Sequence, residues 1–161
     1  MQIAIRTMEP DDIQQVQETA KLSWNATYEG IIPADVQERF LTGAYSDEMM
    51  LRRMEHSLML VAEKNEQIVG FANFSFVSDS EVSELAAIYL HPEHQGNGAG
   101  TALLQEGISR LKSAEKIHIT VERENLIGKS FYDAKGFKTI EEFEEDFDGH
   151  TLQSIRMVLT V

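Results

Sequence analysis

Residues 95–104 read Gln-Gly-Asn-Gly-Ala-Gly-Thr-Ala-Leu-Leu, which predicts a glycine-rich turn that runs directly into a helix. The glycines at positions 96, 98 and 100 allow positive φ angles and leave the backbone amides uncovered by side chains. A helix that begins there presents unpaired N–H groups and the positive end of its dipole to the turn. This combination predicts a binding site for a phosphate group.

The spacing of these glycines excludes two common phosphate-binding loops. The Walker loop requires a Lys after its last glycine, and the dinucleotide fingerprint requires Gly-x-Gly-x-x-Gly after the first strand. This chain instead has Gln-x-x-Gly-x-Gly, past the middle of the sequence, between a predicted strand at 85–90 and a predicted helix at 98–112. A glycine-rich turn that binds no ligand remains the alternative.

Composition narrows the class of protein. The chain has 161 residues, which fits one domain over 1–161, and its 42% hydrophobic and 25% charged content is typical of soluble globular proteins. The absence of cysteine excludes disulfides, a thiolate nucleophile and cysteine metal sites. No apolar run reaches the roughly 20 residues of a membrane helix. We therefore expect a cytoplasmic enzyme.

The net charge of −13 indicates the kind of partner. Such a field repels nucleic acid and anionic membranes and attracts cations, so we expect neither nucleic-acid nor membrane binding. Six acidic residues fall between positions 141 and 148. They either keep an edge strand solvated or form a mouth that attracts a cationic substrate. The histidines lack metal-ligand spacing, and no metal site is predicted.

Hydrophobic periodicity predicts an α/β fold with a mixed, mostly antiparallel central sheet flanked by helices, in the order β-α-α-β-β-β-α-β-α-β-β. The predicted strands are 3–6, 58–63, 68–76, 82–90, 117–121, 137–143 and 152–161. The predicted helices are 10–28, 34–41, 47–56, 98–112 and 126–135. Residues 64–67 form a hairpin turn, and Gly136 ends the last helix.

Three segments carry a family resemblance. The first runs from Glu84 to Gly100 and ends in the Gln-x-x-Gly-x-Gly pattern. The second, at 125–137, reads Asn-x-x-Gly-x-x-Phe-Tyr-x-x-x-Gly-Phe, and a weaker third, at 24–33, reads Trp-x-x-x-Tyr-x-Gly-Ile-Ile-Pro. In this order and separation they resemble the GCN5-related N-acetyltransferases over essentially the whole chain. The resemblance implies the single-domain fold of that family and acetyl-CoA, or coenzyme A, as its cofactor.

The resemblance also implies how acetyl-CoA is held. Backbone amides of 95–100 would bind the pyrophosphate, and the pantetheine arm would lie as an extra strand along the strand that ends at Leu90. The amide of Leu90 would polarise the thioester carbonyl. The implied cofactor-binding residues are Ile88, Tyr89, Leu90, Gln95, Gly96, Asn97, Gly98, Ala99, Gly100, Thr101, Asn125, Lys129 and Tyr132.

Two residues of the second segment have a structural alternative to the role that the family implies. Tyr132 matches the general acid, since a phenol with a pKa of about 10 can protonate a leaving thiolate with a pKa of about 8.5. Its alternative is a core aromatic on an amphipathic helix. Asn125 resembles the asparagine that bonds to the pantetheine arm, and it also stands where a helix N-cap is expected.

Glu84 resembles the position often assigned as the base that takes a proton from the attacking amine. Even spacing along the strand predicts that Glu84 shares a face with Ile88 and Leu90. The alternatives are an exposed carboxylate at the strand end for Glu84, and His91 as a rival base.

The sequence predicts less about how the acceptor amine is bound than about how acetyl-CoA is bound. Trp24, Tyr28 and Ile31, together with Glu84, are predicted to bind the substrate amine, although core packing is a common fate of such aromatic residues. Negative charge favours a cationic small-molecule amine, with a polyamine first. A protein N-terminus, a peptide lysine and a non-catalytic acyl-CoA-binding module are the alternatives. Dimerisation is frequent among such enzymes, which leaves a homodimer as an open expectation.

Overall fold

The structure, a computed structural model, describes residues 2–161 and contains seven strands and five α-helices in that range. The strands are β1 (Ala4–Thr7), β2 (Ser57–Lys64), β3 (Gln67–Ser75), β4 (Val82–Leu90), β5 (Lys116–Glu122), β6 (Lys138–Phe147) and β7 (His150–Thr160). The helices are α1 (Ile13–Tyr28), α2 (Ala34–Ala44), α3 (Asp47–His56), α4 (Ala99–Arg110) and α5 (Leu126–Ala134). None of these helices within residues 2–161 is long and apolar enough to cross a membrane.

All seven strands belong to one mixed sheet in the order β1-β2-β3-β4-β5-β7-β6. Every neighbouring pair is antiparallel except β4 and β5, which run parallel. These two strands pair only between Val82–Glu84 and Lys116–His118. Beyond that point they diverge, and the sheet opens into a wedge at its centre. The predicted α/β class and mostly antiparallel sheet are confirmed.

The predicted element order contains one helix too few, and two predicted strands are too short. Three helices precede the hairpin of β2 and β3, in agreement with the predicted ranges 10–28, 34–41 and 47–56, although the predicted order counts only two. Ser46 begins the separate α3 by accepting a hydrogen bond from the amide of Met49 (3.2 Å). The last two strands are longer than predicted, because they meet in a tight turn at Asp148-Gly149, where φ is 50° and 83°. An Asp-Gly pair with positive φ at both positions is a strong hairpin turn.

Helices cover both faces of the sheet. On the α4 face, α4 and α5 bury a core that includes Phe74, Leu103 and Ile117. On the α1 face, α1 and α3 bury a second core that includes Val16, Met50 and Phe71. A third cluster, around Trp24 and Val36, packs α1 and α2 against β7 on that same face. The central wedge therefore has α1 on one side and α4 and α5 on the other.

A β-bulge in β4 changes which side chains reach each face. Asn73 of β3 pairs with Ala87 and the next residue, Phe74, pairs with Leu85, so Ala86 is the extra residue. As a result Leu85 packs in the α4-face core, whereas Ala87 packs in the α1-face core. Even spacing is broken across such a bulge.

The predicted shared face of Glu84, Ile88 and Leu90 is therefore wrong. Ile88 and Leu90 pack against the α4-face core, whereas Glu84 precedes the bulge and reaches Arg156 on the α1 face. The side chain of Tyr89 takes the opposite direction from Ile88 and Leu90, and packs on the α1 face.

Candidate active site

The wedge between β4 and β5 holds a cavity of about 410 Å³. Its walls are formed by the two sequence motifs, at 84–100 and 125–137, together with β5 and α1. Its lining includes Ser23, Thr27 and Tyr28 of α1, all of 85–90 in β4, Gln95, Gly96 and Gly100 of the loop, Thr120 and Val121 of β5, and Asn125, Ile127, Gly128, Ser130, Phe131 and Tyr132 around α5. The topology thus brings segments that are distant in sequence to one site.

The glycine loop has the backbone conformation that its sequence predicts. Gly96 and Gly98 have φ angles of +82° and +90°, where side chains are disfavoured. A Cβ atom built at either position meets no atom of residues 2–161 within 4 Å, so the space over the loop is open to a ligand. Gly100 serves packing instead, because a Cβ there would lie 3.2 Å from the Phe131 ring.

The start of α4 offers backbone donors to an anion. The first backbone hydrogen bond of the helix runs from the amide of Ala102 to the carbonyl of Gly98 (3.0 Å). The amides of Ala99, Gly100 and Thr101 therefore precede the helical ladder, and within residues 2–161 no side chain caps this end. Together with the helix dipole, these amides suit a diphosphate. The residues present thus fit the pyrophosphate of coenzyme A.

The edge of β4 that faces the wedge suits an extended ligand. Between Leu85 and Leu90 this strand pairs with β3 on one side only, because β5 has already diverged. The backbone groups on its other side face the cavity and need partners there. An extended chain with amide groups, such as a pantetheine arm, can satisfy them as an added strand would.

The remaining predicted cofactor residues divide into two groups. Asn97 is exposed and Thr101 half-buried, near the loop, while Ala99 is fully buried and can offer only its backbone. Lys129 does not line the cavity, and its ammonium group forms an ion pair with Asp133 at 3.0 Å. Lys129 is therefore placed to stabilise α5, and a contact with the cofactor stays a prediction.

The position of Tyr132 is compatible with both of the roles considered for it. Its ring packs edge-on against Phe131 and Phe137, with centroids 5.5 and 5.3 Å apart, and only 9% of the residue is exposed. It also lines the cavity. Burial, with a smaller contribution from Tyr28, raises the pKa of Tyr132 above its ordinary value. The phenol therefore stays protonated at neutral pH and can donate a proton or a hydrogen bond.

Asn125 likewise caps α5 and lines the cavity. Its Oδ1 accepts a hydrogen bond from the amide of Gly128 (3.0 Å). Gly128 leaves room for this cap, because a Cβ there would lie 2.6 Å from the Nδ2 of Asn125. The capping geometry keeps the amide of Asn125 at the cavity wall, so the two proposed roles of this side chain are compatible.

The α1 side of the cavity carries a pair of tyrosine hydroxyls. The hydroxyl oxygens of Tyr28 and Tyr89 lie 3.3 Å apart. Burial raises the pKa of Tyr28, and it raises that of Tyr89 further, with a contribution from Tyr28. Both phenols are therefore neutral at physiological pH and can exchange hydrogen bonds with a polar acceptor. Tyr89 was predicted to bind the cofactor, whereas the contact of its side chain with Tyr28 was not predicted.

Trp24 and Ile31 do not line this cavity, and their predicted contact with the substrate amine stays a prediction. Trp24 is 5% exposed and stacks on Phe40, with centroids 4.6 Å apart. It also lies 4.6 Å from the Tyr28 ring, so it supports the cavity wall from behind. Ile31 lines a separate, open cavity of about 810 Å³ between α1, α2 and His150.

Glu84 lies beside the cavity without lining it. Both of its carboxylate oxygens accept hydrogen bonds from Arg156, at 2.6 and 2.7 Å. This occupancy does not support the predicted role of Glu84 as a free base, and the role stays a prediction. Arg156 itself was missed, since nothing in the sequence links β7 to β4.

The acidic segment 141–148 serves more than one purpose. Most of its carboxylates lie on β6, the exposed edge strand, which agrees with the solvated-edge interpretation. Glu145 is half-buried and accepts a hydrogen bond from the hydroxyl of Ser154 (2.8 Å). Asp148 holds the hairpin against α2 by pairing with Arg39 at 2.6 Å. In residues 2–161 no three His, Asp or Glu side chains come together as a metal site would require.

Comparison with known proteins gives these features a context. Residues 17–137 match the family model of the Acetyltransferase (GNAT) family. The chain is 32% identical over 157 residues to the spermidine N(1)-acetyltransferase of Thermoplasma acidophilum. The aligned region covers 92% of this chain and 93% of that protein. It is also 32% identical over 108 residues to an uncharacterized N-acetyltransferase of Bacillus subtilis, with 65% of this chain and 62% of that one covered.

Solved structures agree with the sequence comparisons. The PaiA N-acetyltransferase of Thermoplasma acidophilum, solved in complex with coenzyme A, superposes with a TM-score of 0.88 at 29% identity and complete coverage of both chains. A GCN5-related N-acetyltransferase structure from Rhodopseudomonas palustris has a TM-score of 0.83 at 18% identity, covering 100% of this chain and 97% of that one. At 18% identity, the Rhodopseudomonas palustris structure shows a similarity of fold alone.

Proposed function

Because the chain belongs to the GNAT acetyltransferase family and uses acetyl-CoA as its donor, we propose that it acetylates a primary amine of a polyamine such as spermidine. The observation that carries the choice of acceptor is the 32% identity, over 92% of the chain, to a spermidine N(1)-acetyltransferase. The net charge of −13 supports the same choice, since a polyamine is a polycation.

In this proposal the donor is held by backbone more than by side chains. The amides at the start of α4 bind the diphosphate, and the loop glycines Gly96 and Gly98 let it approach closely. The free edge of β4 pairs with the pantetheine arm, and the amide of Leu90 stabilises the charge that develops on the thioester oxygen. When bound, acetyl-CoA supplies an activated acetyl group.

Transfer is direct in this proposal, without an acetylated enzyme. The chain contains no cysteine, so a thioester on the protein is excluded. Tyr132 donates a proton to the departing thiolate of coenzyme A, a role supported by its position in the cavity lining and by a phenol that is protonated at neutral pH. The C–S bond breaks as the new C–N bond forms, the nitrogen releases its extra proton to solvent to give the neutral amide, and the Tyr132 phenolate regains a proton from solvent.

The α1 side binds the amine in this proposal. The hydroxyls of Tyr28 and Tyr89 accept hydrogen bonds from its N–H groups and direct the lone pair of the nitrogen toward the donor. A free aliphatic amine has a pKa of about 10.4 and must lose a proton before it attacks. Since Arg156 occupies both oxygens of Glu84, we assign that proton to solvent at the cavity mouth.

The test is release of coenzyme A from acetyl-CoA, followed with a thiol reagent, for which the cysteine-free chain gives no background. The acceptors are spermidine, spermine, an aminoglycoside, single amino acids and peptides with free N-termini or lysines. We expect the highest kcat/KM for a polyamine, and a polyamine KM that rises with salt because the attraction is electrostatic. A peptide as the best acceptor would overturn the polyamine assignment. Acetyl-CoA binding without turnover on any amine would indicate a non-catalytic acyl-CoA-binding module.

A further inference from the structure

The point at which β4 and β5 separate is bridged by an ion pair from a third strand. Glu84 of β4 and His118 of β5 form the last residue pair of their short parallel ladder. Arg156 lies on β7, on the far side of β5, where it pairs with Thr120. Its guanidinium therefore crosses β5 on the α1 face to reach the carboxylate of β4.

The guanidinium group of Arg156 donates hydrogen bonds to side chains on both β4 and β5. Nη1 donates to an oxygen of Glu84 (2.7 Å) and to the hydroxyl of Thr120 (3.0 Å). Nη2 donates to the other oxygen of Glu84 (2.6 Å) and lies 3.2 Å from Nδ1 of His118. A bidentate pair of this kind fixes both distance and orientation, as a single hydrogen bond does not. The side chains of Arg156 and Glu84 are only 27% and 35% exposed.

These contacts lie at the base of the donor cavity. Thr120 and the β4 segment that begins at Leu85 are cavity walls, so residues bound by Arg156, or directly adjacent to them, line both sides of the wedge. A change in the angle between the strands would move the β4 edge relative to the loop that holds the diphosphate. Misplacement of a reacting group by about 1 Å can lower a rate by as much as about a hundredfold.

We propose that Arg156 is a positioning residue, whose ion pair with Glu84 sets the opening of the wedge in which acetyl-CoA binds and reacts. This inference rests on the proposed function only for its kinetic measurements with spermidine. The dissociation constant of acetyl-CoA depends on the opening of the wedge as well, and it can be measured without any acceptor. In this inference, Glu84 holds the guanidinium group of Arg156 in position and does not act as a catalytic base.

The experiment compares Glu84→Gln, Arg156→Gln, the double variant and the exchange of the two residues, Glu84→Arg with Arg156→Glu. Arg110→Gln is the matched control, because Arg110 pairs with Glu106 at 2.8 Å with similar exposure, at the far end of α4. For each protein, the dissociation constant of acetyl-CoA, kcat and KM with spermidine, and the melting temperature are measured.

We expect both single variants to weaken acetyl-CoA binding and to lower kcat/KM by a similar factor, about tenfold. The double variant should be no worse than either single one, since the two residues act as a unit. The exchanged pair should recover part of the loss, and Arg110→Gln should bind and turn over as the wild type does. Should a glutamine variant fail to fold, Arg156→Lys, which keeps the charge but loses the bidentate geometry, takes its place.

Three results would overturn the inference. The first is wild-type acetyl-CoA binding and turnover in Arg156→Gln. The second is a loss confined to Glu84→Gln, with one limb of the pH–rate profile removed, which would identify Glu84 as a base. The third is an additive double variant. Failure of the polyamine assignment is distinct from these, because wild-type protein would then bind acetyl-CoA without acetylating spermidine.

Discussion

The hydroxyl oxygens of Tyr28 and Tyr89 lie 3.3 Å apart on the α1 side of the cavity, although these residues come from a helix and a strand 61 positions apart in sequence. Trp24 supports both rings from behind, with centroids 4.6 Å from Tyr28 and 6.1 Å from Tyr89. The pair is therefore packed against a buried aromatic ring, and its neutral phenols line the same cavity as Tyr132. This relationship defines the side of the cavity at which we expect the amine.

Loss of either hydroxyl is expected to affect the acceptor and not the donor. In Tyr28→Phe and Tyr89→Phe, we predict an acceptor KM about fivefold to tenfold higher, which corresponds to one net hydrogen bond of about 1 kcal/mol, with unchanged affinity for acetyl-CoA. Steady-state kinetics and calorimetric titration of acetyl-CoA measure the two quantities. Tyr45→Phe is the control, since Tyr45 is also buried but packs on Phe71 away from the cavity. Equal effects of all three variants would refute a role in acceptor binding.

The glycine loop can be tested by adding one methyl group. Gly98→Ala combines backbone strain at φ +90° with a Cβ in the space assigned to the diphosphate. We predict an acetyl-CoA KM at least about tenfold higher, the equivalent of one hydrogen bond to a charged group. Gly149→Ala introduces the same strain at φ +83°, at the tip of the β6–β7 hairpin, and should leave this KM unchanged. A comparable rise in both variants would mean that strain alone is responsible.

Asn125 allows its two proposed roles to be separated. Asn125→Ala removes the acceptor for the amide of Gly128, which should lower the free energy of unfolding by about 1 kcal/mol. Asn125→Ser keeps a capping oxygen and should restore most of this stability. We predict that acetyl-CoA binds more weakly to both variants, because each lacks the carboxamide at the cavity wall. Recovery of binding together with stability in the serine variant would reduce Asn125 to a helix cap.

His118 makes the Arg156 network sensitive to pH. Burial, followed by the charge of Arg156, lowers the pKa of His118 below its ordinary 6.5, against the opposing effect of Glu84; Lys116 also lowers it. The unfolded chain therefore binds a proton more readily than the folded one. The resulting contribution to stability is fully present above pH 6.5 and is lost as the pH falls through the lowered pKa.

This dependence predicts a difference between two proteins. In His118→Asn, an amide oxygen can still accept a hydrogen bond from Arg156 but cannot titrate. We expect the melting temperature to fall less between pH 7 and pH 5 in this variant than in the wild type, because all other titrating groups are shared. Parallel pH profiles in the two proteins would contradict the proposed titration of His118.

Local sequence patterns were sufficient to predict the loop conformation and the helix starts at the site that we assign to the donor. The conformation of Gly96 and Gly98, the start of α4 and the cap at Asn125 each depend on residues within a few positions. Local rules of backbone and capping geometry therefore apply without knowledge of the tertiary structure. The strands were predictable for the same reason, since alternation is a local property.

Contacts between residues that are distant in sequence could not be predicted in this way. The bulge at Ala86 appears only when β4 is paired with β3, and it changes the direction of Glu84 relative to Ile88. Arg156 meets Glu84 across 72 positions. Trp24 packs between Phe40 and Phe147 only after α2 and the last hairpin have folded onto α1.

Direct acetylation of a polyamine with Tyr132 as the proton donor can be tested by mass-spectrometric detection of acetylated spermidine formed from purified protein and acetyl-CoA. The wild type and Tyr132→Phe are compared at matched acetyl-CoA saturation. We predict that the wild type forms monoacetylated spermidine at the rate of coenzyme A release. We predict that Tyr132→Phe binds acetyl-CoA normally and has a kcat lower by about a hundredfold or more. Equal rates in the two proteins would rule out Tyr132 as the proton donor, and no acetylated spermidine while acetyl-CoA binds to the wild type would rule out polyamine acetylation.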